Sequence, residues 1–570
     1  MTTGTRLWAV AAAATLALAG CGGNTPSPGS GAPAAAGSPG AASGGPAVDA
    51  ADINPQPLDR LKDGGTLRMS IQQWITQYNS QQVDGTQGDG SAIVALVEPD
   101  LFSYDAKGVP HPVPDYLESA EVTSTSPQVV TYKLNPKARW SDGAPLSYKD
   151  FQAQWKALNG RDKSYLSAGW PGYDLIGKVE QGAGPQEVKV TYDKPFADWR
   201  QTFDPLFPAA AYDTPEKFNK GWLEKVPITA SAWKIGSYDK TAQTITAVRD
   251  PNWWGAKPKL DSVVFRALDP AAALDAYLNK EIDYVAAIRP EAYGRVKDDP
   301  DTAIRVGARW DEVHITLNGG RGPLQDLKVR NAVEKAVDRG ALTEVAFKDL
   351  PFKGRPLGNH FFMPNQEGYQ DNSGEYGKYD LEGAKKLLDE AGWKDNGAGQ
   401  PRTKDGAPLK LSFVISADST SQQADQATLL QNMLAQAGIQ ITIDKVPGND
   451  YFEKYVYRGD FDLVSFRNVD QLFLSQAFPQ YQKPEGENVY QNYGRISSPE
   501  LVDLLTKAQT TTDRTEAVKL YNQADALVWR LGHTIELYQR PQVLAVRKGL
   551  ANFGAGGLSS DDFTKAGWEK

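Results

Sequence analysis

The pattern that most constrains the fold lies in the last third of the chain. Apolar residues recur at every second position over 409–415, at helical spacing over 424–437, and again at every second position over 439–443. These periods predict a strand, a helix and a second strand. Two strands joined in this way pair in parallel through a right-handed crossover. The turn at 416–420 is then expected at the carboxyl edge of the sheet, where open α/β sheets bind ligands.

A second segment has the same order of patterns. It begins at 263–265, continues through a helical pattern at 271–279 and ends at 282–285. It predicts a second strand–helix–strand unit in a separate sheet, and two sheets indicate two lobes. From Gly64 onward the chain alternates strand-like and helix-like segments without a repeat period. The predicted fold class is therefore mixed α/β.

Helix ends are also readable in the second half of the chain. Asp380 is expected to cap a helix that stops at Gly392, because aspartate accepts from free amides at a helix start and glycine tolerates the turn at its end. Two amphipathic helices are predicted over 499–508 and 513–531, with a strand following at about 534–538.

Composition excludes several classes of function. The 570 residues are enough for several domains with a sizeable core. The formal charge is -9 and no run is rich in lysine or arginine, so no nucleic-acid partner is expected. The chain has one cysteine and four histidines, which are far apart in sequence. We therefore expect no disulfide framework, no metal centre and no cofactor.

The N-terminus is typical of an exported lipoprotein. Arg6 precedes an apolar run at 7–19 that is too short to span a bilayer, which requires about 20 residues. Residues 1–20 are therefore predicted to be a signal peptide. The order Leu-Ala-Gly before Cys21 resembles a lipobox, which implies that Cys21 is lipidated and anchors the chain to the cell membrane on its extracytoplasmic face. Residues 21–60 are rich in Gly, Pro, Ala and Ser and are predicted to be a disordered tether.

Catalytic motifs are weak. The spacing of Gly172, Gly177 and Lys178 is similar to a phosphate-binding loop, but Val179 replaces the required Ser or Thr. A nucleophilic serine in a strained elbow is not recognisable outside the tether. Carboxylates are abundant, so an exported hydrolase stays open as an alternative, but we predict that the chain is not an enzyme.

Aromatic residues make up 10% of the chain, and some occur among polar residues. Trp74 and Tyr78 lie in a stretch rich in glutamine, and Trp170 and Tyr173 lie among Ser, Gly and Pro. Large aromatic surfaces with amides for orientation are typical of a binding cleft, although core packing explains such residues as well.

Several segments together resemble one family. The segment 130–151, VTYKLNPKARWSDGAPLSYKDF, is similar to the signature of the family 5 extracytoplasmic solute-binding proteins, the oligopeptide- and dipeptide-binding group of ABC importers. Further similar segments follow in order: 64–67 (GGTL), 249–258 (RDPNWWGAKP), Asn318 with 323–332 (PLQDLKVRNA), 336–339 (AVDR), 379–393 (YDLEGAKKLLDEAGW) and 459–463 (GDFDL). The resemblance covers about residues 64–550.

The resemblance implies a two-lobed periplasmic-binding-protein-like fold of class II with an extra subdomain and hinge-linked lobes. Two strands are expected to cross between the lobes near 314–318 and 538–543, and closure would couple ligand binding to docking on a permease. Most signature residues are expected to be structural: Trp140, Asp142, Gly143, Trp253, Trp254, Arg330 and Arg339. The expected division is 61–90, 201–315 and 541–570 for lobe I, 91–200 for the added subdomain, and 316–540 for lobe II.

The resemblance also implies where a ligand binds. Contacts are expected from the loop after the first strand, from the crossing strand before Asn318 and from a loop of lobe II, in which Asp470 would pair with the α-ammonium of a peptide. A departure from the family pattern at 228–235 places Trp233 where it would narrow the cleft. The predicted ligand-binding residues are Trp74, Gln77, Tyr78, Asn79, Tyr165, Trp233, Glu312, His314, Phe466, Arg467, Asn468 and Asp470.

The resulting expectation is a monomeric, lipid-anchored receptor that delivers an oligopeptide or related solute to an ABC permease. The departures at 228–233 and 466–470 leave an alternative open, in which the same fold binds a glycolipid or oligosaccharide or acts as a scaffold or regulator at the envelope. Uptake of nickel or haem, as found in relatives, is disfavoured by the dispersed histidines.

Overall fold

The structure, a computed structural model, describes residues 51–570 except 398, 470, 471 and 487. The predicted signal peptide, Cys21, most of the predicted tether and Asp470 lie outside the described residues. The strands are β1 (Thr66–Ile71), β2 (Phe102–Tyr104), β3 (Pro110–Pro112), β4 (Leu117–Thr125), β5 (Gln128–Leu134), β6 (Ile176–Gln181), β7 (Glu187–Tyr192), β8 (Trp233–Asp239), β9 (Thr244–Arg249), β10 (Ser262–Ala267), β11 (Tyr284–Ala286), β12 (Thr302–Leu317), β13 (Thr403–Lys404), β14 (Ala407–Pro408), β15 (Lys410–Ser416), β16 (Gln440–Val446), β17 (Leu463–Val469), β18 (Thr534–Arg547), β19 (Leu550–Ala551) and β20 (Gly567–Trp568).

The helices are distributed along the whole described chain. They are α1 (Gly88–Val97), α2 (Tyr148–Leu158), α3 (Ala209–Tyr212), α4 (Pro215–Lys220), α5 (Pro270–Leu278), α6 (Pro290–Val296), α7 (Leu327–Ala336), α8 (Arg339–Ala346), α9 (Leu381–Glu390), α10 (Ser421–Gln436), α11 (Gly448–Asp450), α12 (Phe478–Tyr481), α13 (Pro499–Thr510) and α14 (Arg514–Arg530). Within the described residues, no helix is both long enough and apolar enough to cross a bilayer.

The strands form three larger sheets and several two-stranded pairs. One sheet has the order β4-β5-β7-β6 and is antiparallel. A second has the order β1-β10-β9-β8, in which β1 and β10 are parallel. The third has six strands in the order β11-β18-β12-β17-β15-β16. Helices and mixed sheets alternate along the chain, so the predicted α/β class is confirmed.

The first strand–helix–strand prediction is confirmed. β15 and β16 pair in parallel, with Lys410 opposite Gln440, and α10 connects them. Thr420 caps α10 through a capping box with Gln423, and α10 buries Leu430 and other apolar residues against the sheet. The local period of apolar residues is therefore sufficient to specify this unit.

The second strand–helix–strand prediction is wrong in its pairing. The three elements exist as β10, α5 and β11, but β10 belongs to the four-stranded sheet and β11 pairs antiparallel with β18 in the six-stranded sheet. β10 has β1 on one side and β9 on the other, so both of its hydrogen-bonding edges are occupied. β11 pairs instead with the outer edge of β18, and α5 connects two sheets rather than two strands of one sheet.

The predicted helix ends are confirmed. The Asp380 carboxylate accepts a hydrogen bond from the Gly383 amide at 2.8 Å at the start of α9, and Gly392 has a φ of +85° just beyond its end. A left-handed conformation of this kind favours glycine. α13 and α14 follow one another as predicted and lead into β18.

Two large hydrophobic cores define two lobes. One core combines both four-stranded sheets and contains, for example, Val130, Trp199 and Phe265. The predicted subdomain at 91–200 therefore shares its core with the predicted lobe I. The other core packs α7, α9 and α10 on the six-stranded sheet.

β12 and β18 connect the two cores. They have 16 and 14 residues and pair antiparallel along most of their length. The C-terminal part of β18 contributes Leu544 and Val546 to the first core and Val543 and Ala545 to the second, whereas its start contributes Ile535 and Leu537 to the second core only. This is the arrangement expected of two strands that cross between lobes. The predicted lobe boundaries fall inside these continuous strands, and the division of the chain into lobes stays a prediction.

Candidate functional site

The middle of the β12–β18 pair is a junction of the two lobes. Regular pairing is interrupted between Ala308 and Glu312. Trp310 lies in this interruption and packs against the Gly108 turn of the first lobe so closely that a Cβ atom on Gly108 would lie 2.5 Å from the indole. On the other strand, the Gln539 amide donates to the Arg309 carbonyl at 2.7 Å. The strand pair therefore places its irregular segment between the two lobes.

A buried carboxylate at this junction is shared by two arginines. Asp311 Oδ2 accepts from Arg467 Nη1 at 3.1 Å and from Arg540 Nη1 at 3.3 Å. The Asp311 side chain is 2% exposed, but those of Arg467 and Arg540 are 44% and 30% exposed. Burial, repulsion from Arg467 and repulsion from Arg309 lower the pKa of Arg540. We call Asp311, Arg309, Arg467 and Arg540 the arginine junction; it carries excess positive charge that partly faces solvent and can bind an anion.

The opposite face of the same strands carries a different cluster. Side chains alternate along a strand, so Glu312 and His314 face away from Asp311. Both Glu312 carboxylate oxygens lie 2.9 Å from His314 Nδ1, and the Phe466 ring centre lies 4.4 Å from that of the imidazole. Glu536 of β18 lies opposite His314. Burial and the neighbouring Glu312 carboxyl raise the pKa of Glu536.

Two further histidines lie beside this cluster. His360 Nδ1 is 2.6 Å from Asp525 Oδ1, and its Nε2 is 3.9 Å from Glu536 Oε1. Burial and the neighbouring His360 and His314 lower the pKa of His533 to about 3. Three of the four histidines, which are far apart in sequence, therefore lie close to one another in the structure. Strand pairing and the packing of α14 bring together positions that are distant in sequence.

The amides predicted in the loop after β1 lie within the first lobe. Asn79 Nδ2 donates to the Phe218 carbonyl at 2.9 Å, and its Oδ1 accepts from the Tyr212 hydroxyl. Gln77 Nε2 donates to the Asn219 carbonyl at 3.0 Å. These bonds hold the loop against α3 and α4. In this conformation the two amides support the first lobe, and a direct role in ligand contact stays a prediction.

The four aromatic residues predicted in the first lobe are mostly buried. Tyr165 donates its hydroxyl hydrogen to the Asp213 carbonyl and is thereby satisfied. The indole N–H groups of Trp74 and Trp233 and the hydroxyl of Tyr78 are buried without a hydrogen-bond partner in the described part of the chain. Burial raises the pKa of Tyr78. Unpaired buried donors are unusual, and a ligand that reorders this region could satisfy them.

The predicted contacts in lobe II lie on β17. Phe466 faces the same side as His314, and Arg467 faces the arginine junction. Asn468 donates to Gln480 Oε1 at 3.1 Å. Asp470 lies outside the described residues. The structure therefore brings Glu312, His314 and Phe466 together and separates them from Arg467 by the thickness of the sheet.

Four residues of these clusters were not identified from the sequence: Arg309, Asp311, Glu536 and Arg540. Asp311 and Arg540 lie within or beside the predicted crossing strands. The succession Arg, Trp, Asp, Glu, Val, His at 309–314 is strongly charged for a stretch beside a predicted lobe-crossing strand, since charged residues are rarely buried unless they are paired. This departure is the signal that could have drawn attention to the junction.

Polar contacts also join the two lobes at the rim. The Ser475 amide donates to Asp198 Oδ2 at 2.8 Å, and Gln201 Nε2 donates to Ser475 Oγ at 3.1 Å. The Ala197 amide donates to the Gln509 carbonyl at 2.8 Å. Two α/β lobes that are crossed by paired strands and closed over a charged and aromatic junction define a two-lobed solute-binding protein.

Comparison with known proteins gives the family. The chain belongs to the bacterial extracellular solute-binding proteins, family 5, whose model for the middle region matches residues 111–488. It is 37% identical over 524 residues to the oligopeptide-binding protein OppA of Mycobacterium tuberculosis, which covers 91% of this chain and 87% of OppA. It is 29% identical over 287 residues to a probable monoacyl phosphatidylinositol tetramannoside-binding protein, LpqW, of the same species, over 48% of this chain and 44% of LpqW.

A solved structure has the same architecture. The periplasmic EDTA-binding protein EppA superposes with a TM-score of 0.79 at 27% identity, over 92% of this chain and 99% of EppA. The predicted family and the predicted two-lobed fold are therefore confirmed. The family consists of proteins that bind solutes outside the cell.

Changing Gln201 to alanine is expected to weaken solute binding by about two- to tenfold, because the bonds of Gln201 to Ser475 and Gln476 across the rim are lost and a hydrogen bond contributes about 0.5–1.5 kcal/mol. Calorimetric titration of the full-length chain measures the affinity, and small-angle scattering measures the closed fraction. Gln152→Ala is the matched control, since Gln152 Nε2 donates to the Val179 carbonyl within the first lobe. Equal affinities of the two variants would show that the rim contact does not contribute to closure.

Proposed function

We propose that the chain captures an oligopeptide between its lobes and delivers it to the permease of an ABC importer. The observation that carries this proposal is the arginine junction, which offers the partly exposed guanidinium groups of Arg467 and Arg540 at the meeting point of the lobes. A peptide ends in a carboxylate, and arginine pairs with carboxylates through two parallel hydrogen bonds. The similarity to OppA over most of both chains supports the same solute class.

The neighbouring residues fit a peptide chain. We infer that Trp74, Tyr78 and Trp233 provide apolar walls and hydrogen-bond donors when the lobes open and close. Asn468 pairs with Glu312 and lies on the face opposite the arginine junction, so we assign it no contact with a peptide held at that junction. Asp470 follows directly after β17 and would bind the α-ammonium at the opposite end of the peptide.

The site of action follows from the N-terminal sequence. We infer that residues 1–20 direct export, that Cys21 is lipidated and that the chain acts as a monomer on the extracytoplasmic face of the cell membrane. Residues 21–51 would then serve as a tether of roughly 30 Å root-mean-square length between the lipid and the lobes, because Asp52, inside the predicted tether, already pairs with Ala555 of the folded chain. The division into lobe I, an added subdomain and lobe II belongs to the same proposal.

The proposal predicts a preference for peptides with a free carboxylate. Full-length chain in detergent is titrated by calorimetry with a peptide library, and each binder is compared with its C-terminally amidated form. We expect the free acid to bind about 10- to 100-fold more tightly, because a charge-assisted bond contributes about 1.5–3 kcal/mol. Scattering profiles should show closure with the free acid.

Variants and co-purified molecules separate this proposal from its alternatives. Arg540→Gln should remove most of the preference for the free acid, whereas Arg60→Gln, an exposed arginine near the N-terminus of the described chain, should keep it. A chain that binds no peptide but retains a glycolipid or oligosaccharide in native mass spectrometry would support the alternative ligand class instead. The partial similarity to LpqW favours that alternative. Turnover of a labelled peptide or glycoside would instead indicate a hydrolase.

A further inference from the structure

We propose that Glu312, His314 and Glu536 bind one divalent transition-metal ion between the crossing strands β12 and β18. Each residue offers one ligand atom, and the three atoms lie within 4.8 Å of one another. The residues are only 2–3% exposed. The inference goes beyond solute capture, because the cluster faces the side of the sheet opposite the arginine junction.

The distances suit coordination. The Glu312 oxygens lie 2.9 Å from His314 Nδ1. Two ligand atoms that bind one ion at right angles, each at about 2.1 Å, are about 3 Å apart. His314 and Glu536 lie opposite each other in the strand pairing, and Glu312 follows on the same face. The backbone of two paired strands therefore fixes all three ligands.

An unpaired oxygen distinguishes this cluster from a simple hydrogen-bonded pair. Glu536 Oε2 is buried and has no hydrogen-bond partner in the described part of the chain, and its side chain is 3% exposed. A buried carboxylate oxygen without a donor is costly. A cation placed between the two carboxylates would compensate both charges and occupy the free oxygen.

The neighbouring basic side chains do not bond to the unpaired Glu536 oxygen. Arg339 donates to the Glu536 backbone carbonyl rather than to its carboxylate. His360 has its ring nitrogens within hydrogen-bond distance of Asp525 and of the Thr534 carbonyl, at 2.6 and 3.0 Å. These residues form a surrounding shell that orients the cluster, and such a shell is common around metal ligands.

The ligand set selects the kind of ion. Imidazole favours zinc, nickel, copper and iron, and carboxylates also accept manganese, whereas calcium and magnesium prefer oxygen ligands alone. Complete burial indicates a resident ion and not transported cargo. An ion at this position would tie β12 to β18 next to the segment where their pairing is irregular, and would thereby stiffen the connection between the lobes.

The test uses the full-length chain, produced without a histidine tag and purified in detergent. The protein is stripped with a chelator, loaded with Zn²⁺ or Mn²⁺, freed of excess metal by gel filtration and analysed by mass spectrometry of the metal content. We expect about one ion per chain and a higher unfolding temperature than in the stripped protein. Glu536→Gln and Glu312→Gln should each weaken binding at least about tenfold. His111→Ala, which removes an exposed histidine beside Asp105, should bind as the wild type does.

Two results would overturn the inference. One is a wild type that retains no ion under any loading condition, which would identify the cluster as two carboxyls that share a proton. The other is an equal metal content in Glu536→Gln and wild type, which would place the ion elsewhere. If both glutamine variants fail to fold, anomalous scattering from wild-type crystals decides, since the peak must lie between Glu312, His314 and Glu536. None of these readouts depends on the identity of the solute, so they remain valid if the peptide proposal fails.

Discussion

Replacement of Arg339 by leucine is expected to lower the free energy of unfolding by about 3–5 kcal/mol, because several buried carbonyl groups lose their donor at once. The guanidinium group donates to the carbonyls of Gly377, Leu357 and Glu536. It also lies 4.9 Å from the centre of the Trp529 ring. Arg339 is only 7% exposed, so water cannot replace these bonds in the folded protein. Urea unfolding of the full-length chain, followed by circular dichroism, measures the loss.

Two further variants separate the effect of the positive charge from the effect of burial. Arg339→Lys keeps the positive charge but not the planar fork of donors, and should lose an intermediate amount of stability. Arg530→Leu removes an exposed arginine paired with Glu500 at 3.4 Å, and should cost less than about 1 kcal/mol. A similar loss in Arg530→Leu and Arg339→Leu would contradict the structural role that the family resemblance implies for Arg339.

Local patterns predicted the fold where the interacting residues are close in sequence. The β15–α10–β16 unit follows from the apolar period and from the capping box at Thr420, all within one short stretch. The unit proposed from β10, α5 and β11 failed because both edges of β10 are already occupied, one by the preceding strand β9 and the other by β1, which is distant in sequence. Strand identity was thus readable from the sequence, but strand pairing was readable only when the partners were neighbours.

The candidate site, like the fold, was predicted from the sequence only in part. Family resemblance located the crossing strand with Glu312 and His314, but it did not predict which face each side chain takes. That depends on the interruptions of the β12–β18 pairing between Ala308 and Glu312 and between Val313 and His314. An irregularity of this kind shifts the alternation of side chains relative to the partner strand. No local sequence pattern indicates where such an irregularity in strand pairing occurs.

The proposed metal site was not predicted from the sequence for a related reason. Dispersed histidines argue against metal motifs whose ligands lie on one turn or one helix. The distance from His314 to Glu536 along the chain is large, yet the two residues are opposite each other in an antiparallel pair. Sequence spacing therefore has little power for ligands that a sheet brings together.

A second large effect on the free energy of unfolding is expected from three buried acidic residues of the first lobe: Glu98, Asp100 and Asp204. Both carboxylate oxygens of Glu98 are buried without a hydrogen-bond partner among the described residues. Burial, with a smaller contribution from Asp100, raises the pKa of Glu98. Burial raises the pKa of Asp100 to about 7, and burial together with Asp100 raises that of Asp204. Each of these carboxyls therefore holds a proton more readily in the folded protein than in the unfolded chain.

The sign of the pH dependence follows from this difference. A carboxyl whose folded pKa lies above its unfolded value of about 4.3 carries no penalty below that value, and destabilises the protein increasingly as the pH rises toward the folded pKa. His533 acts in the opposite direction, because its folded pKa of about 3 lies below the unfolded value, and its contribution to stability is lost as the pH falls below about 6.5. The pH dependence of the total stability therefore combines the contribution of the carboxyls with that of His533. A comparison of variants separates the two contributions.

Glu98→Gln is expected to be more stable than the wild type by about 2–3 kcal/mol at pH 7, because glutamine is neutral and has nearly the same shape as a protonated glutamate. The gain should shrink to nearly zero as the pH falls to about 3.5, where the wild-type carboxyl is protonated in the unfolded state as well as in the folded state. Urea unfolding of the full-length chain at several pH values measures the difference, in which the contribution of His533 cancels. Glu118→Gln, at an exposed position of β4, should show no such pH-dependent gain. A Glu98→Gln variant that is less stable than the wild type at pH 7 would instead mean that the ionised Glu98 carboxylate has a partner that stabilises its charge.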